Sequence, residues 1–428
     1  MVISLGWIQA VIGIMQWLGF TPSLHGDYAF TGSFYNPGPY ACYLAVTLPV
    51  AVNSALHSNN KFQKWLGTGM VFLCAILIPA SMSRTALAAS AIGVTVTVAD
   101  RIIPILRTVR KPWVVVSAAI IAIGCFGIYA VKKDSAHGRL LMWKVATGAV
   151  ADVPAGGVGW DKVAGCYGEA QEEYFASDRG SERERMVADA PEYVFNEYLQ
   201  TAIAFGPMVT LWMTVIIACG LIVSLRNRRN GIGGSVAAVM AVMFASYPLQ
   251  FPLFVVTIGI VLCGSYLSAR SLSMRIAGCI AVIGSCWWFL NHDDTKDVRT
   301  AFAVGHAIHR TGDFSRSNDY LIELLSHSSD PMILNIIGKN YRALGMADSA
   351  EYYLKKSANR CPNRLYPHYL LMQLYGDTLS LDRQAQRREA EIIMTMQEKI
   401  LSPAVEEMRS EAEKVLTQNT LSDISQRQ

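Results

Sequence analysis

The chain has 428 residues, of which 52% are hydrophobic and only 16% are charged. This balance is typical of a polytopic membrane protein. The formal net charge of +4 is too small to indicate nucleic-acid binding, and we exclude nucleic acid as a partner.

Apolar residues are concentrated in blocks of roughly 17–20, the helix length that crosses a hydrocarbon core about 30 Å thick. Nine blocks fit this description: 3–20, 39–56, 65–82, 85–100, 113–131, 206–224, 233–248, 253–269 and 274–291. We therefore predict an all-α protein whose residues 1–291 form a membrane domain of about nine spans.

Basic residues are distributed unevenly between the short loops that connect the predicted spans. Lysine and arginine occur at 61–64, 101–111, 226–229 and 270–275, whereas the loops 21–38 and 249–252 carry neither. By the positive-inside rule the N-terminus is cytoplasmic. The long loop 132–205 and the tail 292–428 then lie on the outer side of the membrane.

The loop 132–205 has the length and the aromatic content of a functional segment rather than a linker. Residues 139–151 show helical periodicity, and the glycines at 156–159 predict a turn directly after them. We expect Glu182–Arg185 at a mobile loop tip. A helix should resume at Pro191, because proline suits a first helical turn.

The tail 292–428 is charged and helix-forming, and its spacing resembles a tetratricopeptide repeat. The matching positions are Leu334, Ile337, Gly338, Tyr341, Gly345, Ala350, Leu354 and Pro362, with a weaker second unit around Tyr375. Small residues at these positions let two helices pack closely. A generic helical hairpin is the alternative. We predict a separate helical repeat domain whose binding partner is a protein or a glycan.

A polar cluster, Ser81–Arg84, lies where one predicted span ends and the next begins, on the outer side. The positive-inside rule disfavours an arginine there, and a cation at the membrane is costly. Guanidinium presents a planar fork of donors that binds phosphate oxygens bidentately. We therefore predict that Arg84 binds phosphate with help from Ser81 and Ser83. The alternative is an arginine that snorkels to the interface.

A second outer arginine, Arg139, follows Gly138 at the start of the periodic segment in the loop. Contact with lipid headgroups is an equally good interpretation of Arg139 alone. Two outer arginines near the same membrane depth favour a shared anionic ligand.

Other candidate binding residues flank the second and sixth spans. Asn36 precedes the second span, where capping of the helix is the favoured alternative. Glu192, Asn196, Glu197 and Gln200 lead into the sixth span, and Asn196 and Gln200 share one helix face. These residues line a polar cavity or form a solvated helix start. No spacing predicts a metal site, and no motif predicts a cofactor.

Five segments, in order along the chain, resemble motifs of the O-antigen ligase and polymerase superfamily of bacterial membrane glycosyltransferases. They are Thr31–Pro37 (T-G-[ST]-F-x-N-P), Ser81–Leu87 (S-x-S-R-[TG]-A), Gly138–Trp143 (G-R-x-x-x-W), Asp152–Gly159 (P-x-x-G-x-G) and Asn196–Gly206 (N-x-[YF]-L-Q, then glycine). The resemblance covers roughly residues 1–290.

This resemblance implies a GT-C-type, metal-independent transferase in the bacterial inner membrane. Such enzymes move a glycan from an undecaprenyl-diphosphate carrier to an acceptor on the periplasmic side. Arg84 and Arg139 match the family's arginines that hold the donor diphosphate, where cations stabilise the leaving group.

The chain departs from the family motif directly before Asn196, where Phe195 replaces a histidine. If the acceptor hydroxyl needs a general base, the resemblance leaves that role to Glu197, Glu192 or Asp189. We take Glu197 and Asn196 as the catalytic candidates of this motif.

Three functions follow from these features. The leading one is a ligase that transfers a lipid-linked glycan to lipid A-core, to a protein or to another glycan. The second is a polymerase that uses the same donor. The third is a non-catalytic scaffold for polysaccharide export that acts through its repeats.

Overall fold

The structure is a computed structural model that describes residues 1–108, 133–291, 297–378, 380–397 and 402–425. The predicted all-α class is confirmed, because these residues contain helices and no strand. The first helices are α1 Val2–Trp17, α2 Pro37–His57, α3 Lys61–Ala80, α4 Arg84–Thr108, α5 Lys133–Asp152, α6 Val163–Ala176, α7 Glu182–Val187, α8 Glu197–Phe205, α9 Pro207–Arg226, α10 Asn230–Ala245, α11 Pro252–Leu267 and α12 Leu272–Asn291. The remaining ones are α13 Val298–Arg310, α14 Phe314–Leu324, α15 Pro331–Ala343, α16 Ala347–Arg360, α17 Leu365–Tyr375, α18 Arg383–Thr395 and α19 Pro403–Ser425.

The chain forms two compact units. The first, here the membrane unit, comprises Met1–Lys132, Phe195–Ala202 and Pro207–Asp293. The second, here the loop–repeat unit, comprises Lys133–Val194, Ile203–Gly206 and Asp294–Gln428. The sequence assigned the loop 132–205 to the membrane domain and the tail to a separate one. That functional division stays a prediction, but by packing the loop and the tail belong to the same unit.

The membrane unit contains the predicted spans. In the described part of the chain, α2, α3, α9 and α12 are long and apolar enough to cross a bilayer. Helices α1, α10 and α11 are also apolar, with 16 residues each. Helix α4 covers the predicted block 85–100, and the block 113–131 lies outside the described residues. The chain is therefore a helical membrane protein, whereas the number nine stays a prediction.

Helix α2 lies in the core of the membrane unit. It packs against α1, α3, α4 and α10, and most of its first half is buried. Helices α4 and α10 approach closely, because a Cβ added at Gly93 would lie 2.9 Å from the Gly234 carbonyl oxygen. Small residues of this kind allow close helix packing in membranes, where the hydrophobic effect does not drive helices together.

The loop–repeat unit is built from helix pairs. Helix α6 packs against α5 and α16, and consecutive helices pair as α13 with α14, α15 with α16, and α17 with α18. Gly338 of α15 lies against Leu354 of α16, and both Leu354 and Ala350 are buried. The close helix packing expected at these small residues is confirmed, and the assignment as tetratricopeptide repeats stays a prediction.

Within the loop, two sequence predictions are confirmed and one is wrong. The periodic segment lies inside α5, and the glycine turn follows, with positive φ at Gly157 and Gly159. The residues expected at a mobile tip form helix α7, where Glu184 completes a capping box and binds Lys144, and their mobility stays a prediction. The helix expected at Pro191 begins only at α8, because the preceding Asn196 caps it there.

Candidate functional site

Arg84 is the first residue of α4 and follows a tight turn from α3. The Ser81 hydroxyl donates to the Ile78 carbonyl at 2.6 Å, and the Ser83 hydroxyl accepts from the Ala86 N–H at 3.3 Å. These two serines therefore form the turn, which leaves Arg84, half-buried, at the N-terminus of a 25-residue helix.

The turn before α2 is held by two buried glutamines of α1. The Gln16 side chain accepts from the Gly32 N–H at 2.8 Å and donates to the Gly32 carbonyl at 3.0 Å. Gln9 accepts from the Ser33 hydroxyl at 3.1 Å. The Asn36 side chain caps α2 by accepting from the Gly38 N–H at 2.8 Å. The capping interpretation of Asn36 is therefore confirmed.

The turn before α8 carries the polar residues that the sequence placed ahead of the sixth span. Asn196 caps α8 by accepting from the N–H groups of Tyr198 and Leu199 at 3.0 and 3.1 Å. Asn196, Glu197 and Gln200 are all buried. A solvated helix start is therefore wrong for these three residues.

Glu197 is the most unusual of them, because it is a carboxylic acid with no exposed surface. Its Oε1 accepts from the Leu249 N–H at 2.7 Å, while Oε2 has no hydrogen-bond partner among the residues that the structure describes. Burial raises the pKa of Glu197 to about 8, against a smaller opposite effect of the Leu249 N–H. A protonated acid at this position costs less than a buried charge.

The three turns share a feature of backbone conformation. Tyr35, Met82 and Phe195 have φ values of 55°, 54° and 55°, in the left-handed region. Non-glycine residues rarely adopt it, because the Cβ then approaches the backbone at a cost of roughly 1–2 kcal/mol. Strain of this kind concentrates at functional sites. Each strained residue lies directly before a capping or candidate residue of its motif.

Residues 245–251, here the α10–α11 connector, link the Arg84 turn to the Glu197 turn. The Thr85 hydroxyl donates to the carbonyl of Ala245, the last residue of α10, at 3.1 Å. Four residues later, Leu249 provides the N–H that binds Glu197. Thr85, which follows Arg84, and Glu197 itself are thus both bound to one short segment.

Aromatic rings extend this arrangement to the turn before α2. Phe195 lies edge-on to Tyr247, with ring centroids 4.9 Å apart. The ring centroid of Tyr247 lies 5.9 Å from that of Phe251. The Phe251 centroid in turn lies 5.2 Å from that of Phe34. Three of the five sequence motifs therefore meet at the connector within the membrane unit.

The other two motifs belong to the loop–repeat unit. Gly138 is buried in α5, and the adjacent Arg139 is half-buried. The glycine turn pairs with the end of α8, because the N–H groups of Val158 and Gly159 donate to the carbonyls of residues 203 and 204 at 3.0 and 2.9 Å. Glu192 is exposed and lies 3.5 Å from Arg299.

Residues 69–214 match a family model described as O-antigen ligase. This segment is therefore similar to the O-antigen ligase family. The predicted resemblance is confirmed over this segment, which contains Arg84, Arg139 and the Asn196 motif. No curated protein and no solved structure matches the chain.

The O-antigen ligase family supports a membrane glycan-transfer role in O-antigen assembly and a bacterial membrane location. The candidate residues are divided between the two units: Arg84, Asn196 and Glu197 lie in the membrane unit, and Arg139 and Glu192 in the loop–repeat unit. A shared role for Arg84 and Arg139 stays a prediction.

No residue of the connector was predicted from the sequence as part of the site, and the connector lies beyond the family match. From the sequence, this region is only a short loop without lysine or arginine. A signal was present, because Pro248 and Pro252 interrupt an apolar run next to Tyr247 and Phe251. Proline removes a backbone donor and breaks the helix there, which is typical of irregular backbone that lines a site in a membrane protein.

Proposed function

We propose that the protein is a ligase that transfers a glycan from an undecaprenyl-diphosphate carrier to an acceptor on the periplasmic side of the bacterial inner membrane. The observation that supports this most is the position of Arg84. It is the first residue of a long helix within the family match. The N-terminus of a helix carries partial positive charge and favours phosphate. A guanidinium there adds bidentate donors to the same anion.

The reaction is a displacement at the anomeric carbon of the donor. The acceptor oxygen forms a bond to that carbon, and the bond from the carbon to the diphosphate oxygen breaks. Undecaprenyl diphosphate leaves with the electron pair. In this proposal Arg84 and Arg139 bind the diphosphate and stabilise the charge that develops on it, which requires no metal ion. Ser81, Ser83 and Asn36 shape the turns, and Gly138 directly precedes Arg139 in α5.

Glu197 is our candidate for the base that takes the proton of the acceptor hydroxyl. Because burial raises the pKa of Glu197 to about 8, the carboxylate is the minor form at pH 7 and becomes more abundant as the pH rises. A base near the operating pH suits proton transfer. Because Glu197 is enclosed and bound to Leu249, this role requires the connector to move when the acceptor binds. Asn196, with Gln200, holds the start of α8 in place.

A null strain of the source bacterium provides the test. Arg84→Ala and Arg139→Ala should abolish glycan attachment to the acceptor while the protein still inserts into the membrane. Arg226→Ala, which changes an exposed arginine at the end of α9, is the matched control and should restore wild-type glycan. If either test variant restores glycan attachment to the wild-type level, the diphosphate proposal is wrong and a scaffold function is favoured.

The products in the null strain also separate the two enzymes. Loss of all glycan from the acceptor is the result expected of a ligase. Acceptor capped with a single repeat unit would instead identify a polymerase. Mass spectrometry of the acceptor glycans distinguishes the two outcomes.

A further inference from the structure

The loop and the tail meet on a surface of opposite charge within the loop–repeat unit. Acidic side chains come from the loop, and basic side chains come from the tail. The pairs are Glu172 with Arg360 at 3.2 Å and Lys356 at 3.4 Å, Asp189 with Arg364 at 3.4 Å, and Glu192 with Arg299 at 3.5 Å. We call this surface the loop–repeat joint.

The centre of the joint is the pair formed by Glu172 of α6 and Arg360 of α16. The Arg360 side chain is 1% exposed and that of Glu172 is 14% exposed, whereas both partners of the outer pair Asp189–Arg364 are more than half exposed. Exposed pairs contribute little, because water screens them. A buried charge is costly unless its partner is in place, so the central pair defines how the two surfaces must fit.

Neutral hydrogen bonds add to the charge complementarity. The Gln171 side chain donates to the Arg360 carbonyl at 2.6 Å. From the tail, Asn363 donates to the Ala188 carbonyl at 2.6 Å and Ser329 to the Pro191 carbonyl at 2.9 Å. The residues from 188 to 196 are not helical, so their carbonyls need partners from elsewhere. The tail supplies partners for two of them.

Two glycines of α6 allow the loop helix to pack directly against the tail. A Cβ added at Gly165 would overlap the Ser326 carbonyl oxygen, and one added at Gly168 would lie 3.0 Å from the Ser329 Cα. The backbone of the loop helix therefore touches the backbone of the tail. Such an approach is built into the fold, because no larger residue fits it.

The helix held by the joint also carries α5. Helix α6 packs on α5, and Lys144 of α5 donates to the Tyr174 hydroxyl of α6 at 2.6 Å and to Glu184 at 2.8 Å. Arg139 lies on α5, a little more than one turn before Lys144. A continuous series of contacts therefore runs from the tail through α6 to the helix of Arg139.

We propose that the C-terminal repeats are a fixed part of the donor-binding loop, and that Glu172 and Arg360 are positioning residues for Arg139. This inference rests on the donor-binding role proposed above for Arg139. It goes beyond the sequence expectation that the repeats engage the acceptor or a partner. In our proposal the tail sets the geometry of the loop whether or not a partner is bound.

The test compares three variants of the full-length protein in detergent and in vesicles. Glu172→Gln leaves Arg360 buried without its carboxylate, whereas Arg360→Met leaves Glu172 paired with Lys356. Glu172→Leu combined with Arg360→Met removes both charges. Glu391→Gln, which breaks an exposed pair in α18, is the matched control.

The first measurement is trypsin cleavage between residues 178 and 187. We expect it to be at least tenfold faster in Glu172→Gln than in wild type, less accelerated in Arg360→Met, and close to wild type in the double variant. Equal cleavage of Glu172→Gln and wild type would overturn the proposal, because the loop would then be independent of the joint.

The second measurement is transfer from the lipid-diphosphate donor. Glu172→Gln should raise the donor KM about tenfold and leave the acceptor KM unchanged, and the double variant should recover. A raised acceptor KM with a normal donor KM would overturn the proposal in favour of a recruiting tail. If Arg139→Ala itself transfers normally, the proposed function fails, and the cleavage result still decides whether the joint holds the loop.

Discussion

Replacing Glu197 by glutamine should change how stability depends on pH. Burial raises the pKa of Glu197 from 4.5 to about 8. A carboxyl whose pKa is higher in the folded than in the unfolded protein binds its proton more tightly when folded. Its contribution to stability is therefore fully present below pH 4.5 and is lost as the pH rises through 8. At about 1.4 kcal/mol for each pKa unit, the loss is on the order of 5 kcal/mol.

Glutamine imitates the protonated acid. Its side-chain oxygen can accept from the Leu249 N–H as Glu197 does at 2.7 Å, but it does not ionise. The variant should therefore lack this pH dependence. Between pH 5 and pH 8 the difference in melting temperature between Glu197→Gln and the wild type should change by roughly 10 °C, and the variant should be the more stable protein at high pH.

The assay is thermal unfolding of the purified protein across that pH range, analysed as the difference between variant and wild type so that other titrating groups cancel. Glu192→Gln, at an exposed glutamate, is the matched control. A flat difference for Glu197→Gln would refute the reasoning, because the carboxyl would then titrate as if it were in water. In the same pH series, transfer by the wild type should rise with a midpoint near 8.

Three further substitutions test the turns. Gly157→Ala should destabilise the loop–repeat unit by more than 2 kcal/mol, because φ is +76° and the Cβ would overlap the Ala204 backbone. Gly156→Ala, with no atom within 4 Å, is its control in the same unfolding measurement. Thr85→Val removes the hydroxyl that binds the end of α10 and should raise the donor KM severalfold at a stability cost of about 1 kcal/mol. Phe195→His should have the melting temperature of the wild type, and Phe195→Val a lower one, since histidine tolerates positive φ better than a β-branched residue.

Much of the membrane unit could be predicted from the sequence, because its signals are local. Continuous apolar blocks predicted α2, α3, α9 and α12, and the cap at Asn36 follows from its position before Pro37. The glycine turn at Gly157 and Gly159 could also be predicted, because positive φ favours glycine.

The rest depends on contacts between distant residues. Glu172 and Arg360 are 188 positions apart, and neither side chain differs in type from the many exposed charges around it. No local pattern indicates that the loop and the tail form one unit. The burial of Glu197 could not be decided from the sequence for the same reason, since its partner Leu249 lies in an apolar loop 52 positions later.

The measurement that tests the central claim most directly is release of undecaprenyl diphosphate by purified protein in vesicles that contain a lipid-diphosphate-linked glycan and an acceptor. If Arg84 and Arg139 stabilise the leaving diphosphate, alanine at either position should slow release by about 10²–10³-fold, and lysine at either position should recover part of the rate. Release within twofold of wild type from Arg84→Ala or Arg139→Ala would contradict the account.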